Sequence, residues 1–232
     1  MKHVFYTLLG ISCVLLCYFC VMSVMTPIRF DEAKDHRQDL ITAKLMQIRD
    51  IQVEYKNQYG HYSDSWDSIF NFARTGKKKE FVKVGELTDA QLQAGLTEQK
   101  AIDIIRKGKE SEIKENGLEN FRRDTIETPM MNIFNGVYDD SNIEQLAIVP
   151  YAGGEKEGNG TRFELRTNNE YTNASGNIIP LFEACVLYDV YLGDLDHQLL
   201  INLKDEAITL EKYPGLKVGS IEQPNNNAGN WE

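Results

Sequence analysis

Two hydrophobic patterns divide this chain. From Val4 to Met25 it reads VFYTLLGISCVLLCYFCVMSVM, 22 residues without a charge. As a helix this stretch is about 33 Å long, enough to cross a hydrocarbon core of about 30 Å. Beyond Pro27 and the polar hinge RFDEAKDHRQ, the residues Ile41, Leu45, Ile48, Ile51, Tyr55 and Tyr59 recur every three or four positions. That spacing puts all six on one helical stripe. Gly60 follows where helices commonly close in the left-handed conformation. The pattern therefore predicts a long amphipathic helix over about residues 31–59 that continues the apolar one through a kink at Pro27.

The stretch EYKNQYGHYSDSWDSIFNF, residues 54–72, then concentrates Tyr55, Tyr59, Tyr62, Trp66, Phe70 and Phe72. Ser63, Asp64 and Ser65 are N-cap candidates for a second, short helix, with Trp66, Ile69, Phe70 and Ala73 on its buried face. Each ring buries on the order of 150–250 Å², enough to fix the angle between two helices around a glycine elbow. A packing role for these rings is favoured over a stacking platform for sugars or bases, which would bring more exposed polar partners.

Residues 77–120 are charged and interrupted by glycines. Thr88 with Gln91 has the capping-box form, and Thr97 is a cap candidate, so a small helical insertion is expected here. From about residue 121 the period changes to two. RRDTIETP suits an edge strand, IEQLAIVPYA (143–152) and TRFELRT are strand candidates, and IIPLFEACVLYDVYL reads as a buried strand or strand pair. Strands gathered after helices predict an α+β fold with an antiparallel sheet of four to six strands. The expected divisions are a membrane anchor (1–27), the helices and elbow (28–76), the charged insertion (77–120), the sheet head (121–222) and an Asn/Gly-rich tail (223–232).

A cleavable signal peptide and a lipoprotein signal are the alternatives to a retained anchor. The apolar run exceeds the usual 7–15 residues and lacks a small-residue cleavage site, and the residues before Cys13, Cys17 and Cys20 fit a lipoprotein signal poorly. Lys2 precedes the run, whereas Asp31, Glu32 and Asp35 follow it closely, which predicts a cytoplasmic N-terminus and an extracytoplasmic head. The chain carries a net −10, and all 35 of its acidic residues lie beyond the apolar run. That charge argues against nucleic acid as a partner and against a head lying flat on anionic lipid. Only Cys185 falls outside the apolar run, so no intrachain disulfide is expected in the head.

No recognisable motif announces chemistry. His3, His36, His61 and His197 have no metal-ligand spacing, and there is no P-loop, no G-x-S-x-G and no G-x-G-x-x-G. Cys185 sits in an apolar context that suits an inert thiol. The best polar candidate is YDVYLGDLDHQ, where Asp189, Asp194 and Asp196 could offer oxygens to Ca²⁺ around a glycine bend; a plain turn is the alternative. No cofactor and no enzymatic activity are expected.

The order of features resembles the type IV pilins and the pseudopilins of type II secretion. An apolar N-terminal helix meets a proline, and an amphipathic helix runs to Tyr55, Tyr59, Gly60 and Tyr62, followed by SWDSIFNF and a sheet. The chain departs from that family in having no carboxylate within Val4–Met25 and Leu15 as the fifth residue after Gly10. The resemblance implies a structural component of an envelope secretion or pilus-type assembly, held in the inner membrane, with other protein subunits as partners and copies of itself among the candidates. Ile41, Leu45, Ile48, Ile51, Tyr55, Tyr59, Tyr62, Trp66 and Phe70 would set the stalk against the head. A membrane-tethered module for a glycan or other envelope ligand is the second expectation.

Overall fold

The structure, a computed structural model, describes residues 2–84, 91–92, 95–97, 100–101, 103–104, 110–118 and 122–232. The chain is α+β. Helix α1 (Lys2–Tyr59) is a single helix that passes through Pro27 without ending. Proline has no N–H to donate and disturbs the preceding turn. Beside it, the Thr26 hydroxyl donates to the Met22 carbonyl at 2.8 Å, bonding one turn back. The supposed polar hinge is helical too, because it contributes Phe30 and Arg37 to the buried face.

Ile41, Leu45, Ile48 and Ile51 are fully buried. They lie on the half of α1 that meets two strands described below. The helix closes at Gly60, whose φ of +81° favours glycine and whose N–H reaches Lys56 O at 2.7 Å. Buried Gln52 then clasps the elbow, donating to Ser63 O at 2.6 Å and accepting from Ser63 N at 3.2 Å. Helix α2 (Trp66–Thr75) buries Trp66, Ile69, Phe70, Phe72 and Ala73.

The chain divides into two compact units. Residues 75–132 are one, and the sequence expectation for them needs correction. They are not simply a helical insertion: β1 (Lys77–Val84) pairs antiparallel with β2 (Arg122–Pro129), from Lys77 opposite Pro129 to Val84 opposite Arg122. The lysine run hid a strand because alternation needs an apolar partner every second residue, which Lys77-Lys78-Lys79 lacks. Between the strands, α3 (Glu110–Glu115) and a small cluster of Ala101 and Leu118 with Leu96, Ile104 and Ile113 supply a core of their own. Thr97 Oγ1 accepts from Lys100 N at 3.4 Å, as an N-cap does. Thr88 lies outside the described residues.

The other unit contains α1, α2 and residues 133–232. Its sheet has three strands, not four to six: β3 (Glu164–Asn168), β4 (Leu181–Leu187) and β5 (Gly215–Gly219), antiparallel in that order. Residues 143–152 are not a strand. Ile143–Leu146 is a 3₁₀ turn, and buried Ile143 and Leu146, three apart, share one of its faces. The apolar run after residue 178 splits at Leu187 into β4 and α4 (Tyr188–Leu192), followed by α5 (His197–Thr209). Strand β4, central and buried on both sides, contacts α1, as does β5. Gly219 has φ +77°, and a Cβ there would stand 2.2 Å from Phe182 O, so only glycine lets β5 close on β4.

Candidate functional site

Helix α1 performs two different jobs along its length. Leu8, Ile11, Val14, Phe19 and Val24 are 62–70% exposed, and none of the apolar window is covered by protein. A core helix of a soluble domain would hide such a surface, because leaving contiguous apolar area in water is costly. Among the described residues this helix is long and apolar enough to span a membrane.

The head grips the same helix just beyond Pro27. Arg37, 7% exposed, makes a two-pronged bond with Asp194, Nη1 to Oδ1 at 2.5 Å and Nη2 to Oδ2 at 2.8 Å. Its Nη1 also reaches Tyr191 O at 2.6 Å, and its guanidinium lies 4.3 Å from the centre of the Tyr151 ring. A planar five-donor fork fits this set, whereas an ammonium could not match carboxylate, carbonyl and ring together. The Arg37 hydrogen bond and charge hold the Asp194 carboxyl below the usual range.

Asp189, Asp194 and Asp196 are not gathered around one point. Asp189 pairs with Lys204 at 2.7 Å, Asp194 with Arg37, and Asp196 caps α5 by accepting from Leu199 N at 3.0 Å. Among the described residues no group of three His, Cys, Asp or Glu is placed to hold a metal. Each carboxylate in YDVYLGDLDHQ instead has a structural partner, which a short acidic motif in sequence cannot reveal.

The aromatic residues form two groups at the elbow. Tyr55, Tyr59 and Phe72 pack with centroids 4.6–5.7 Å apart, and Tyr59 is 51% exposed. Deeper in, Tyr62 packs on Phe182 at 4.7 Å, Trp66 stacks on Phe70 at 5.6 Å, and Trp66 Nε1 donates to Phe163 O at 3.1 Å. The elbow therefore locks α1 and α2 onto the sheet, with Tyr59 its exposed outer edge.

One further cation anchors α1. Lys44 Nζ donates to Gln145 O at 2.7 Å and Ile148 O at 2.8 Å, and burial pushes its pKa down from 10.5 to about 8. With the folded value below the unfolded one, the unfolded chain holds more protons between those pH values, so stability from this group rises with pH across the window. Against Lys44→Met, the wild-type head is expected to gain relative stability as pH rises from about 8 to about 10.5. Urea midpoints of both proteins at the two ends of that range check the sign.

On the face of the sheet that Glu183 and Cys185 share, buried Glu183 takes Lys217 at 3.1 Å and Arg166 at 3.6 Å. The neighbouring Cys185 thiol is buried, and burial raises its pKa, the setting of an inert thiol. The Asn-rich tail is no loose end. Asn230 N donates to Lys217 O, its side chain bonds Lys217 N and Gly215 O, and Gly229 bridges Val218, so the tail covers the outer edge of β5. Sequence reasoning missed both Arg37 and this tail, since their partners lie far away along the chain. In comparisons with known proteins, no family model matches the chain, and no curated protein or solved structure is significantly similar to it.

Proposed function

We propose that the chain is a non-catalytic, single-pass protein of the inner membrane, with its N-terminus in the cytoplasm and its head outside. In this reading it serves as a pilin- or pseudopilin-like structural component of an envelope assembly, and the head works by contact with other protein subunits. The observation that carries the reading is the continuity of α1. Its uncovered apolar segment and the fully buried Ile41, Leu45, Ile48 and Ile51 belong to one helix. Buried Phe30 lies five residues past Met25, about 7.5 Å at 1.5 Å per residue, so the grip on the head begins close to where the helix would leave the bilayer. The Arg37 clasp, the Lys44 anchor and the aromatic elbow distribute that grip along the helix and so resist its tilting within the head. A small sheet packed on the second half of a long N-terminal helix is also the architecture that the pilin resemblance implies.

Chemical crosslinking in intact membranes tests the assembly role. The expected result is a small set of discrete adducts with other proteins of the envelope. Recovery of monomer alone, at crosslinker levels that trap a known membrane complex in the same cells, would remove the assembly reading.

A further inference from the structure

The loop between Val149 and Arg162 carries Asn159-Gly160-Thr161, the N-x-T pattern at which sugars are joined to asparagine. Three residues match such a pattern easily by chance, so its surroundings matter. The base of the loop is fixed: Val149 N donates to Thr161 O at 2.8 Å, and Ile148 and Arg162 form a β-bridge. Beyond that base Glu155, Lys156, Glu157, Asn159 and Gly160 are all exposed.

Three observations single out Asn159. First, its amide is arranged for reaction. Thr161 donates to Asn159 Oδ1 through its N–H at 3.2 Å and its hydroxyl at 2.7 Å, while Nδ2 makes no hydrogen bond among the described residues. An amide nitrogen is a poor nucleophile because its lone pair is shared with the carbonyl. A hydroxyl donating to the carbonyl oxygen makes an Nδ2 proton easier to remove. Second, room is kept at that nitrogen. A Cβ on Gly153 would stand 2.7 Å from Nδ2, so a side chain there would crowd it. Third, the loop lies close to the membrane-spanning segment. Tyr151, near its start, packs on Arg37, which is twelve residues past Met25 and so about 18 Å along α1. The chain's other N-x-S/T pattern, Asn173-Ala174-Ser175, lacks this arrangement. Asn173 is half-buried, and its Oδ1 accepts from the backbone N–H groups of Ser175 and Asn177 at 3.0 and 2.9 Å.

We infer that Asn159 is a site of N-linked glycosylation, taking its sugar from a lipid pyrophosphate carrier at the outer face of the membrane. Nδ2 bonds to the anomeric carbon of the sugar as the bond from that carbon to the phosphate oxygen breaks. The lipid pyrophosphate leaves with the electron pair, and the Nδ2 proton passes to a carboxylate of the transferase. The sugar is bulky and hydrophilic, so it also keeps this face of the head out of subunit contacts. The inference rests on the head lying outside the membrane and adds a modification to it.

The test uses the full chain extracted from the membranes of the cells that naturally make it. Trypsin releases the loop as the peptide Glu157–Arg162. Mass spectrometry is expected to find this peptide heavier by whole sugar residues, with fragmentation placing them on Asn159. The increase is expected to vanish in Asn159→Gln and in Thr161→Ala and to persist in Thr161→Ser. All three change exposed side chains, and thermal melts check that each head is folded. A wild-type peptide of unmodified mass would overturn the proposal, as would sugar on Asn173 alone or an increase that Asn159→Gln leaves in place. Protease added outside intact inner membranes separates the two readings. If it digests the head while Asn159 is unmodified, the site fails and the extracytoplasmic head stands. If the head is protected and unmodified, both fall.

Discussion

Arg37→Met is expected to destabilise the head by about 2 kcal/mol, because it removes a buried guanidinium from a part-buried ion pair and leaves the Tyr191 carbonyl without its donor. The guanidinium holds Asp194, the Tyr191 carbonyl and the Tyr151 ring at once. Methionine keeps the aliphatic stem but takes the donor from the Tyr191 carbonyl and the two-pronged partner from the part-exposed Asp194 carboxylate. Arg37→Lys should recover only a fraction of the loss, since a point charge cannot make the two-pronged bond. The acid limb gives a second readout. Asp194 is held below its unfolded pKa, so its contribution is present above the ordinary carboxylate range and is lost as pH falls through the folded value. Arg37→Met should therefore flatten the loss of stability at low pH. Urea midpoints of wild type and variant at neutral pH and near pH 3 measure both effects; equal midpoints would mean the clasp contributes nothing.

Ile48→Ala is expected to cost about 3–4 kcal/mol, the upper part of the range for a fully enclosed aliphatic side chain. Ile48 has no exposed surface and sits mid-stripe between Leu45 and Ile51, on the half of α1 that contacts β4 and β5. Rigid neighbours on a helix and a sheet cannot collapse into the space, so the cavity persists. Met46, two residues earlier and 36% exposed, is the internal control: Met46→Ala should stay within about 0.5 kcal/mol. Comparable losses at both positions would show that the stripe is not a tight interface.

The stripe could be read before the structure because helical periodicity is a local property, and Ile41, Leu45, Ile48 and Ile51 display it without interruption. The α+β class followed from the change of period near residue 121. Errors arose where tertiary context overrode local pattern. The lysine-rich β1 pairs with β2 across a long insertion, and no alternation within KKKE announces it. Ile143–Leu146 has strand-like composition, yet its apolar residues are used at a three-residue spacing. Arg37 looked like part of a solvated hinge, because the residues that make it a clasp lie more than a hundred positions away. The acidic turn at residues 189–196 offered a plausible cation set, but its carboxylates were each claimed by a lysine, an arginine and a helix end. Local sequence reveals which groups are available and is silent about which distant partner takes them.

The account stands on the apolar segment Val4–Met25 remaining attached and embedded. Its most direct test is to wash membranes from cells making the full chain at alkaline pH, which strips peripheral proteins, and to read the N-terminal peptides of the pelleted protein by mass spectrometry. Protein in the pellet with Val4–Met25 intact is the predicted result. Recovery in the soluble fraction, beginning beyond Met25, would contradict it.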